Sequence, residues 1–383
     1  MKKERRKPKF AILSIALILT VAIAAFLLIN AFRQEEPTPA ADVLIKHEKV
    51  VYGISPYQDT ILPRVSEKLE WDTEEKLDID TRMLAWDDVM PAVANGTVDV
   101  AIQNFNSFQA TYENINKAGG DVIFYYPLFI FKGAAIMVRS DSDLKSLAEM
   151  QEIYEDREQA ITETVKQLKG KTVFTTKATE TEQLVLLALE NAGMKPEEVN
   201  IVDAQPDECL SAFLRGDAQA FTGGVTDQLK VQKEGHKQLI SASDLGLVVV
   251  DGLVTTEHYA KEHPEVLEKL IKLWFRTIRY LDEDLNERTK IVIEDLNREG
   301  SYTFSVDDYI YSWEYTDIYP NSPQEIGDLL LSPDSPYYWQ NSWDKNNQFL
   351  IEENRIEQPV PYDAFWMKHV HPAIIKTEVE TVS

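Results

Sequence analysis

The chain has 383 residues and a formal net charge of −25, because 39 lysine and arginine residues stand against 64 aspartate and glutamate residues. Phosphate backbones repel so acidic a protein, which weighs against nucleic-acid binding. The content of hydrophobic residues, 44%, is enough for packed cores, and the length exceeds that of a typical single core. The composition therefore predicts a folded body with two lobes or domains.

The first 32 residues have the composition of a membrane anchor. Residues 1–9 hold six basic groups and one acidic group, and residues 10–32 form a run of 23 without a formal charge. As a helix this run reaches roughly 34 Å, enough to cross a hydrocarbon core of about 30 Å. The positive-inside rule places 1–9 in the cytoplasm, with 33–47 as a polar tether to an extracytoplasmic body. We expect a single-pass protein of the cell membrane, with a cleaved signal peptide as the alternative.

The body begins with alternating strands and helices. Apolar runs and alternating patterns predict strands at 49–54, 76–84, 98–104, 122–131 and 134–138. Helical spacing predicts helices at 58–69 and 86–95, the second ending before Gly96, where a left-handed cap is expected. This order predicts a mostly parallel sheet covered by helices.

A second series follows a charged, helical stretch at 142–168. The same patterns predict strands at 171–176, 200–204, 218–223 and 237–242, and helices at 180–192 and 207–215. We interpret the apolar run 245–256 as the return of the chain to the first lobe. Cys209, the only cysteine, precludes an internal disulfide, and its helical context predicts a small buried hydrophobe.

Two segments share the pattern of a helix, a small-residue turn, an Asp and an apolar strand. They read ANGTVDVAI at 94–102 and LRGDAQAFT at 214–222, and LKGKTVFTTKATETEQLVLL at 168–187 opens the second series. This order of units resembles the ABC-transporter solute-binding proteins of the nitrate/sulfonate/taurine type, which have the type II periplasmic-binding-protein fold. The resemblance implies a monomer with two lobes, a small solute held between them, and delivery of that solute to an ABC permease.

The resemblance also gives the expected boundaries of the lobes. Lobe 1 is expected to comprise 48–138 and 247–383, and lobe 2 to comprise 139–246. Two segments depart from the family pattern. We interpret one, at about 151–168, as an insertion, and the other is the Tyr- and Trp-rich stretch 302–343.

Candidate ligand-binding residues follow from the position of the loops. In two-lobed α/β folds, ligands bind at the carboxyl ends of the strands, between the lobes. The candidates in these loops are Tyr57, Gln58, Trp86, Asn104, Phe105, Thr179, Thr181, Thr222 and Asp227. Their aromatic faces, amides and hydroxyls suit a small organic solute. Trp86 also fits the alternative of a helix residue buried in the core.

The start of the predicted helix 180–192 bears on the charge of the solute. A helix N-terminus favours anions. Here Thr179 and Glu182 have the spacing of a capping box, which would satisfy the free N–H groups, and Glu180 and Glu182 add negative charge. We therefore expect a neutral, zwitterionic or cationic solute, such as an amine or a vitamin precursor.

The sequence carries no motif of a known catalytic centre. G-x-S-x-G, H-E-x-x-H, the P-loop and G-x-G-x-x-G are all absent, and we expect neither a metal nor a cofactor. The leading interpretation is the extracytoplasmic substrate-binding component of an ABC importer, not an enzyme. One alternative is a ligand-sensing or interaction protein on the same fold. The other is an enzyme like the pyrimidine-precursor synthase of this fold family, whose cysteine-rich motif this chain lacks.

Overall fold

The computed structural model describes residues 47–300 and 302–382. The predicted cytoplasmic tail 1–9, the predicted membrane span 10–32 and all of the tether except His47 lie outside these residues. Within the described part of the chain, no helix combines the length and the apolar character needed to cross a membrane.

Eleven strands are assigned in the described residues. They are β1 (Glu48–Ile54), β2 (Leu77–Met83), β3 (Val100–Asn104), β4 (Val122–Phe131), β5 (Ala135–Val138), β6 (Thr172–Thr175), β7 (Asn200–Asp203), β8 (Ala220–Gly223), β9 (Lys237–Ser241), β10 (Val249–Thr256) and β11 (Asp317–Ile318).

The α-helices of the same residues occur between and after these strands. They are α1 (Pro63–Lys68), α2 (Trp71–Glu74), α3 (Val89–Ala94), α4 (Phe105–Lys117), α5 (Leu147–Gln151), α6 (Arg157–Lys166), α7 (Glu180–Asn191), α8 (Pro206–Arg215), α9 (Val225–Lys233), α10 (Glu257–Glu262), α11 (Pro264–Glu283), α12 (Leu285–Arg288), α13 (Lys290–Glu299), α14 (Val306–Tyr311), α15 (Pro323–Leu330), α16 (Trp339–Glu352) and α17 (Met367–Val382).

The first lobe is built on a six-stranded sheet in the order β11-β4-β10-β3-β1-β2. Strand β1 runs parallel to β2 and β3, whereas β10 lies antiparallel between β3 and β4. The return of the chain to this lobe at 245–256 is therefore present as predicted. The sheet is mixed rather than mostly parallel, because the returning strand enters it from the opposite end.

The second lobe is built on a five-stranded sheet in the order β7-β6-β8-β5-β9. Strand β6 is parallel to β7 and β8, and β5 is antiparallel to β8 and β9. The sequence placed 134–138 at the end of lobe 1, and this assignment is wrong. The chain leaves the first sheet after Phe131, and hydrogen bonding to β8 and β9 makes β5 a central strand of the second sheet.

Local sequence patterns account for most of these elements. In β2, Leu77 and Ile79 are buried while Asp78 and Asp80 are exposed, which is the alternation expected of a strand covered on one face. Helix α8 ends at Gly216 with φ of 86°, a left-handed cap that glycine adopts without steric cost. The helix predicted at 58–69 is shorter than expected and begins only at Pro63.

The aromatic-rich stretch 302–343 contributes to the core of the first lobe. Trp339 and Trp343 on α16 are fully buried, and the Trp343 ring lies 4.8 Å from that of Phe105 and 5.8 Å from that of Phe365. Tyr309 and Trp313 of the same stretch are buried as well, whereas Tyr311 and Tyr315 are exposed.

The charged stretch 142–168 forms α5 and α6. Four residues on one face of α6 are buried, namely Ala160, Ile161, Thr164 and Val165. This helix is therefore packed into the second lobe. The interpretation of 151–168 as an insertion stays a prediction.

Candidate functional site

A cavity of about 70 Å³ lies between the two sheets. One buried water needs roughly 10–15 Å³ on this scale, so the cavity suits a small solute. Its walls come from the loops that follow β1, β2, β6, β7 and β8, from the carboxyl ends of β3, β4 and β8, and from the amino end of β10. The carboxyl ends of the parallel strands of both lobes therefore face one cavity, as the fold class predicts.

Eight of the nine predicted residues line this cavity. They are Tyr57, Gln58, Trp86, Asn104, Thr179, Thr181, Thr222 and Asp227. Phe105 does not line it, because the structure places this residue in the core of the first lobe. Its ring is fully buried against Phe124 and Phe365, with ring centres 4.7 Å and 5.3 Å away, because α4 turns this side chain into the core.

Two aromatic rings form one wall of the cavity. Tyr57 and Trp86 meet edge to face, with ring centres 5.8 Å apart. The indole Nε1 of Trp86 donates a hydrogen bond to Ser107 Oγ at 3.0 Å, which fixes the ring orientation. Both side chains are only half-buried, so they combine a fixed position with a free surface toward the cavity.

Asn104 connects the two lobes across the cavity. Its Oδ1 accepts a hydrogen bond from the Ser107 N–H at 2.9 Å and so caps α4, while its Nδ2 donates to Glu180 Oε2 at 3.0 Å. A second hydrogen bond between the lobes lies beside it, where Asn106 Nδ2 donates to Gln183 Oε1 at 2.7 Å. These bonds join α4 of the first lobe to α7 of the second.

The threonines of the second lobe bond mainly to one another. Thr222 Oγ1 donates to Thr175 Oγ1 at 2.7 Å, and the hydroxyls of Thr179 and Thr181 are 2.8 Å apart. Thr179 Oγ1 also donates to the Thr176 carbonyl at 2.7 Å. Because these hydroxyls already have partners, they chiefly fix the shape of the cavity wall.

The start of α7 differs from the predicted capping box. Thr179 Oγ1 accepts from the Thr181 N–H at 3.2 Å, and Glu182 Oε2 accepts from the Ala178 N–H at 2.7 Å instead of from Thr179. Glu182 points away from the cavity and pairs with Arg355 of the first lobe at 3.2 Å. Burial nevertheless raises the pKa of Glu182. Of the two predicted charges, only Glu180 lines the cavity.

Three further carboxyl groups line the cavity beside Glu180, and one of them, Asp227, was predicted. Burial raises the pKa of both Asp59 and Asp227 to about 7, and it raises that of Asp251 well above its usual range. Burial also raises the pKa of Glu180. The cavity is therefore a desolvated site in which several carboxyl groups repel one another's charge.

Sequence reasoning missed Asp59 and Asp251. Asp59 immediately follows the predicted Gln58, and its Oδ2 accepts a hydrogen bond from Gln58 Nε2 at 3.2 Å. Asp251 lies on β10 opposite Asn104 in the strand register. The available signal was an aspartate inside an otherwise apolar strand, VVVDGLV, where a charged side chain is costly without a partner.

Cys209 lies outside the cavity and packs with Phe213 and Phe221 on the second sheet. It is fully buried, and burial raises its thiol pKa to about 12. Its burial confirms the prediction of a small buried hydrophobe, and a thiol whose pKa is raised is a poor nucleophile.

The part of the chain that builds most of the second lobe matches a known family. Residues 148–284 match the family described as NMT1/THI5 like. This NMT1/THI5 like segment contains the second-lobe site residues and also Asp251. It begins before the interval 151–168 and runs through it.

Two curated proteins and a solved structure agree with this match. The chain is 26% identical over 138 residues to a Bacillus subtilis (strain 168) protein provisionally named an aliphatic sulfonates-binding protein, which covers 35% of this chain. It is 30% identical over 108 residues, 27% of this chain, to the taurine-binding periplasmic protein of Escherichia coli (strain K12). The aligned segments span 42% and 33% of these two relatives.

The solved structure extends the likeness to the whole fold. The periplasmic aliphatic sulphonate binding protein SsuA from Escherichia coli superposes with a TM-score of 0.61 over 84% of this chain and 98% of its own, at 15% identity. The two-lobed α/β fold is thus confirmed beyond the NMT1/THI5 like segment. The predicted resemblance to solute-binding proteins of ABC transporters is confirmed as well.

Proposed function

We propose that this protein is the extracytoplasmic substrate-binding component of an ABC importer and that it captures a small organic solute between its lobes. The observation that carries the proposal is the cavity lined by Tyr57, Trp86 and Asn104 from the first lobe and by Thr179 and Asp227 from the second. A solute in contact with both lobes stabilises the arrangement in which they are close. This is the physical requirement for capture by closure.

Two chain crossings supply the hinge in this proposal. The chain passes from β4 to β5 through 132–134 and returns from β9 to β10 through 242–248. Short connections at the edge of a cleft let two packed lobes rotate with few changes in backbone angles. The bonds from Asn104 to Glu180 and from Asn106 to Gln183 would form or break with this rotation.

The proposed setting is the outer side of the cell membrane. Residues 10–32 would anchor the body as a single span, and the two lobes would act as a monomer that docks on an ABC permease. The proposed solute is neutral, zwitterionic or cationic, because Glu180 and Asp227 place negative charge on the cavity wall. An anion as simple as a sulfonate would meet that charge in a desolvated site.

The test is to identify what the protein carries and to measure its effect on stability. The full-length chain is purified in a mild detergent and denatured, and the released small molecules are identified by mass spectrometry. We expect a co-purifying solute that, returned at a concentration 100 times its Kd, stabilises the fold by about 2.7 kcal/mol. It should also change the fluorescence of Trp86, which lines the cavity.

A Trp86→Phe variant separates the cavity signal from that of the other tryptophans. The variant should keep the shift in melting temperature and lose most of the fluorescence change. A protein that releases no solute, and whose melting temperature no member of a broad solute panel changes, would contradict the proposed function.

A further inference from the structure

The ionisable side chains that line the cavity, apart from the Tyr57 phenol, are all acidic. Asp59, Glu180, Asp227 and Asp251 supply four carboxyl groups, and the described residues that line the cavity include no lysine, arginine or histidine. Buried carboxylates in proteins are normally matched by cations or by several hydrogen-bond donors. Among the residues that the structure describes, no cationic side chain lies in this wall.

Asp251 carries a buried carboxyl oxygen that no donor among the described residues satisfies. Its side chain is 3% exposed, and its Oδ2 has no hydrogen-bond partner among the described residues. By contrast, Glu180 accepts from Asn104, and Asp59 accepts from Gln58 and from the Thr60 N–H at 2.7 Å. A buried oxygen left without a donor in the wall of a cavity indicates that the donor comes from the occupant.

The surroundings of these acids favour an organic occupant. Tyr57 and Trp86 offer aromatic surface to the cavity, and such faces attract cations. A bare metal ion would need several ligands at about 2.0–2.6 Å from one point. Within the described part of the chain, no three histidine, cysteine, aspartate or glutamate residues are grouped so as to hold one.

We propose that the cavity binds a small organic cation whose protonated nitrogen donates to Asp251, with Tyr57 and Trp86 covering its apolar part. This inference rests on the proposed function, since it names the chemical class of the solute that the two lobes capture. Asp227 and Glu180, on the opposite lobe, would hold a second positive or hydrogen-bond-donating end. The cation would then bridge the lobes.

The pKa values of the acids make the affinity depend on pH. Asp59 faces the acids Glu180, Asp251 and Asp317, and the phenols of Tyr309 and Tyr319 also lie in its field. Asp227 faces Asp207 and Tyr57, and Lys230 partly offsets them. The pKa values of Asp59 and Asp227 are raised to about 7, so both groups are partly protonated near neutral pH. A bound cation favours the charged forms of these two groups and of Asp251, whose pKa burial also raises, and its binding therefore releases protons.

We expect the Kd of a cationic solute to rise by roughly tenfold per pH unit, for each proton displaced, as the pH falls from 7 to 5.5. The direction follows because protonated carboxyl groups lose their attraction for the cation. Isothermal titration calorimetry at pH 8, 7, 6 and 5.5, in buffers with different ionisation enthalpies, measures the Kd and the number of protons released. An affinity that is constant or increases over this range would contradict a cationic solute.

The direct test compares probes of similar shape and different charge. Benzylamine and benzamidine are the aromatic cations, benzyl alcohol is the neutral probe, and benzenesulfonate, taurine and calcium chloride complete the panel. Each probe is titrated into the full-length chain at pH 8, and the co-purified solute is identified in parallel. We expect an organic cation to bind at least 100 times more tightly than benzyl alcohol or benzenesulfonate.

Asp251→Asn removes the proposed partner charge while preserving the shape of the side chain. We expect it to weaken binding of the best cationic probe by 100-fold or more and to leave the circular dichroism spectrum unchanged. Asp334→Asn is the matched control, because Asp334 is exposed on a turn and the variant changes the net charge equally. Asp227→Asn, in the first turn of α9, is the second variant if Asp251→Asn does not fold.

The outcomes separate the two proposals. Tight binding of benzenesulfonate, taurine, benzyl alcohol or calcium, with no organic cation binding more tightly, overturns the cationic class and leaves the solute-binding function standing. An unchanged cation affinity in Asp251→Asn, or in Asp227→Asn where Asp251→Asn does not fold, overturns the assignment of the partner charge. If no solute binds and none co-purifies, the proposed function fails as well.

Discussion

Replacing Gly252 by alanine is expected to lower the free energy of unfolding by about 3 kcal/mol, at the upper end of the range for overpacked sites. An added Cβ would lie 2.3 Å from the Tyr126 carbonyl oxygen, 2.7 Å from Phe124 Cε1 and 2.7 Å from Pro127 Cα. Two of these three contacts are to the backbone of β4, which cannot move without disturbing the first sheet. The change is measured by urea denaturation of the full-length chain, followed by circular dichroism.

The position of Gly252 links this stability effect to the site. The pairing of β10 with β4 shifts register between Asp251 and Gly252, and such irregularities re-aim neighbouring side chains. The fraction of Gly252→Ala that folds is therefore expected to bind the co-purified solute more weakly than the unaltered chain.

Gly224→Ala is the control for the added methyl group. No atom lies within 4 Å of a Cβ built on Gly224, and its backbone is extended with φ of −70°. Because Gly224 is the N-cap of α9, the variant should lose at most about 1 kcal/mol of its free energy of unfolding. If the free energy of unfolding of Gly252→Ala lies within 1 kcal/mol of that of the unaltered chain, the close packing of β10 on β4 is contradicted.

Hydrophobic patterns made the order of the elements readable from the sequence. The strand predicted at 49–54 is present at Glu48–Ile54, and the run 245–256 is the strand that returns to the first sheet. The same patterns did not determine which sheet each strand joins. Ala135–Val138 is apolar throughout and would fit either sheet, because its place depends on hydrogen bonds to β8 and β9, far along the chain.

The rule that ligands bind at the carboxyl ends of strands located most of the site and also explains the main omission. An antiparallel strand presents its amino end at that edge, so Asp251, third in β10, lies opposite Asn104, the last residue of β3. The loops after parallel strands could be searched by position alone. The contribution of β10 required knowledge that the returning strand enters the same sheet in the opposite direction.

Asn104 and Phe105, at the start of α4, are adjacent in sequence but point to the cavity and to the core, respectively. Adjacent helical residues are turned by about 100°, so the cap residue and the first helical residue point to different sides. Asn104 reaches the cavity and Glu180, whereas Phe105 is buried among rings. A sequence pattern places both residues in the same loop and does not distinguish these directions.

Phe105→Ala is expected to lower the free energy of unfolding by about 3–5 kcal/mol, because the change leaves a cavity among buried rings. The Phe105 ring centre lies 4.7 Å from that of Phe124, 4.8 Å from that of Trp343 and 5.3 Å from that of Phe365. Phe105→Leu, which keeps an apolar side chain of comparable length, should cost clearly less. Urea denaturation of the full-length variants measures both differences.

The affinity of the same variants distinguishes a core residue from a ligand contact. Phe105 does not line the cavity, so Phe105→Leu should bind the co-purified solute with a Kd within threefold of that of the unaltered chain. Trp86→Leu should show the reverse pattern, because Trp86 lines the cavity and is only half-buried. Its stability should change by less than that of Phe105→Ala, while its affinity falls by at least tenfold. A large loss of affinity in Phe105→Leu at nearly unchanged stability would show that Phe105 contacts the ligand.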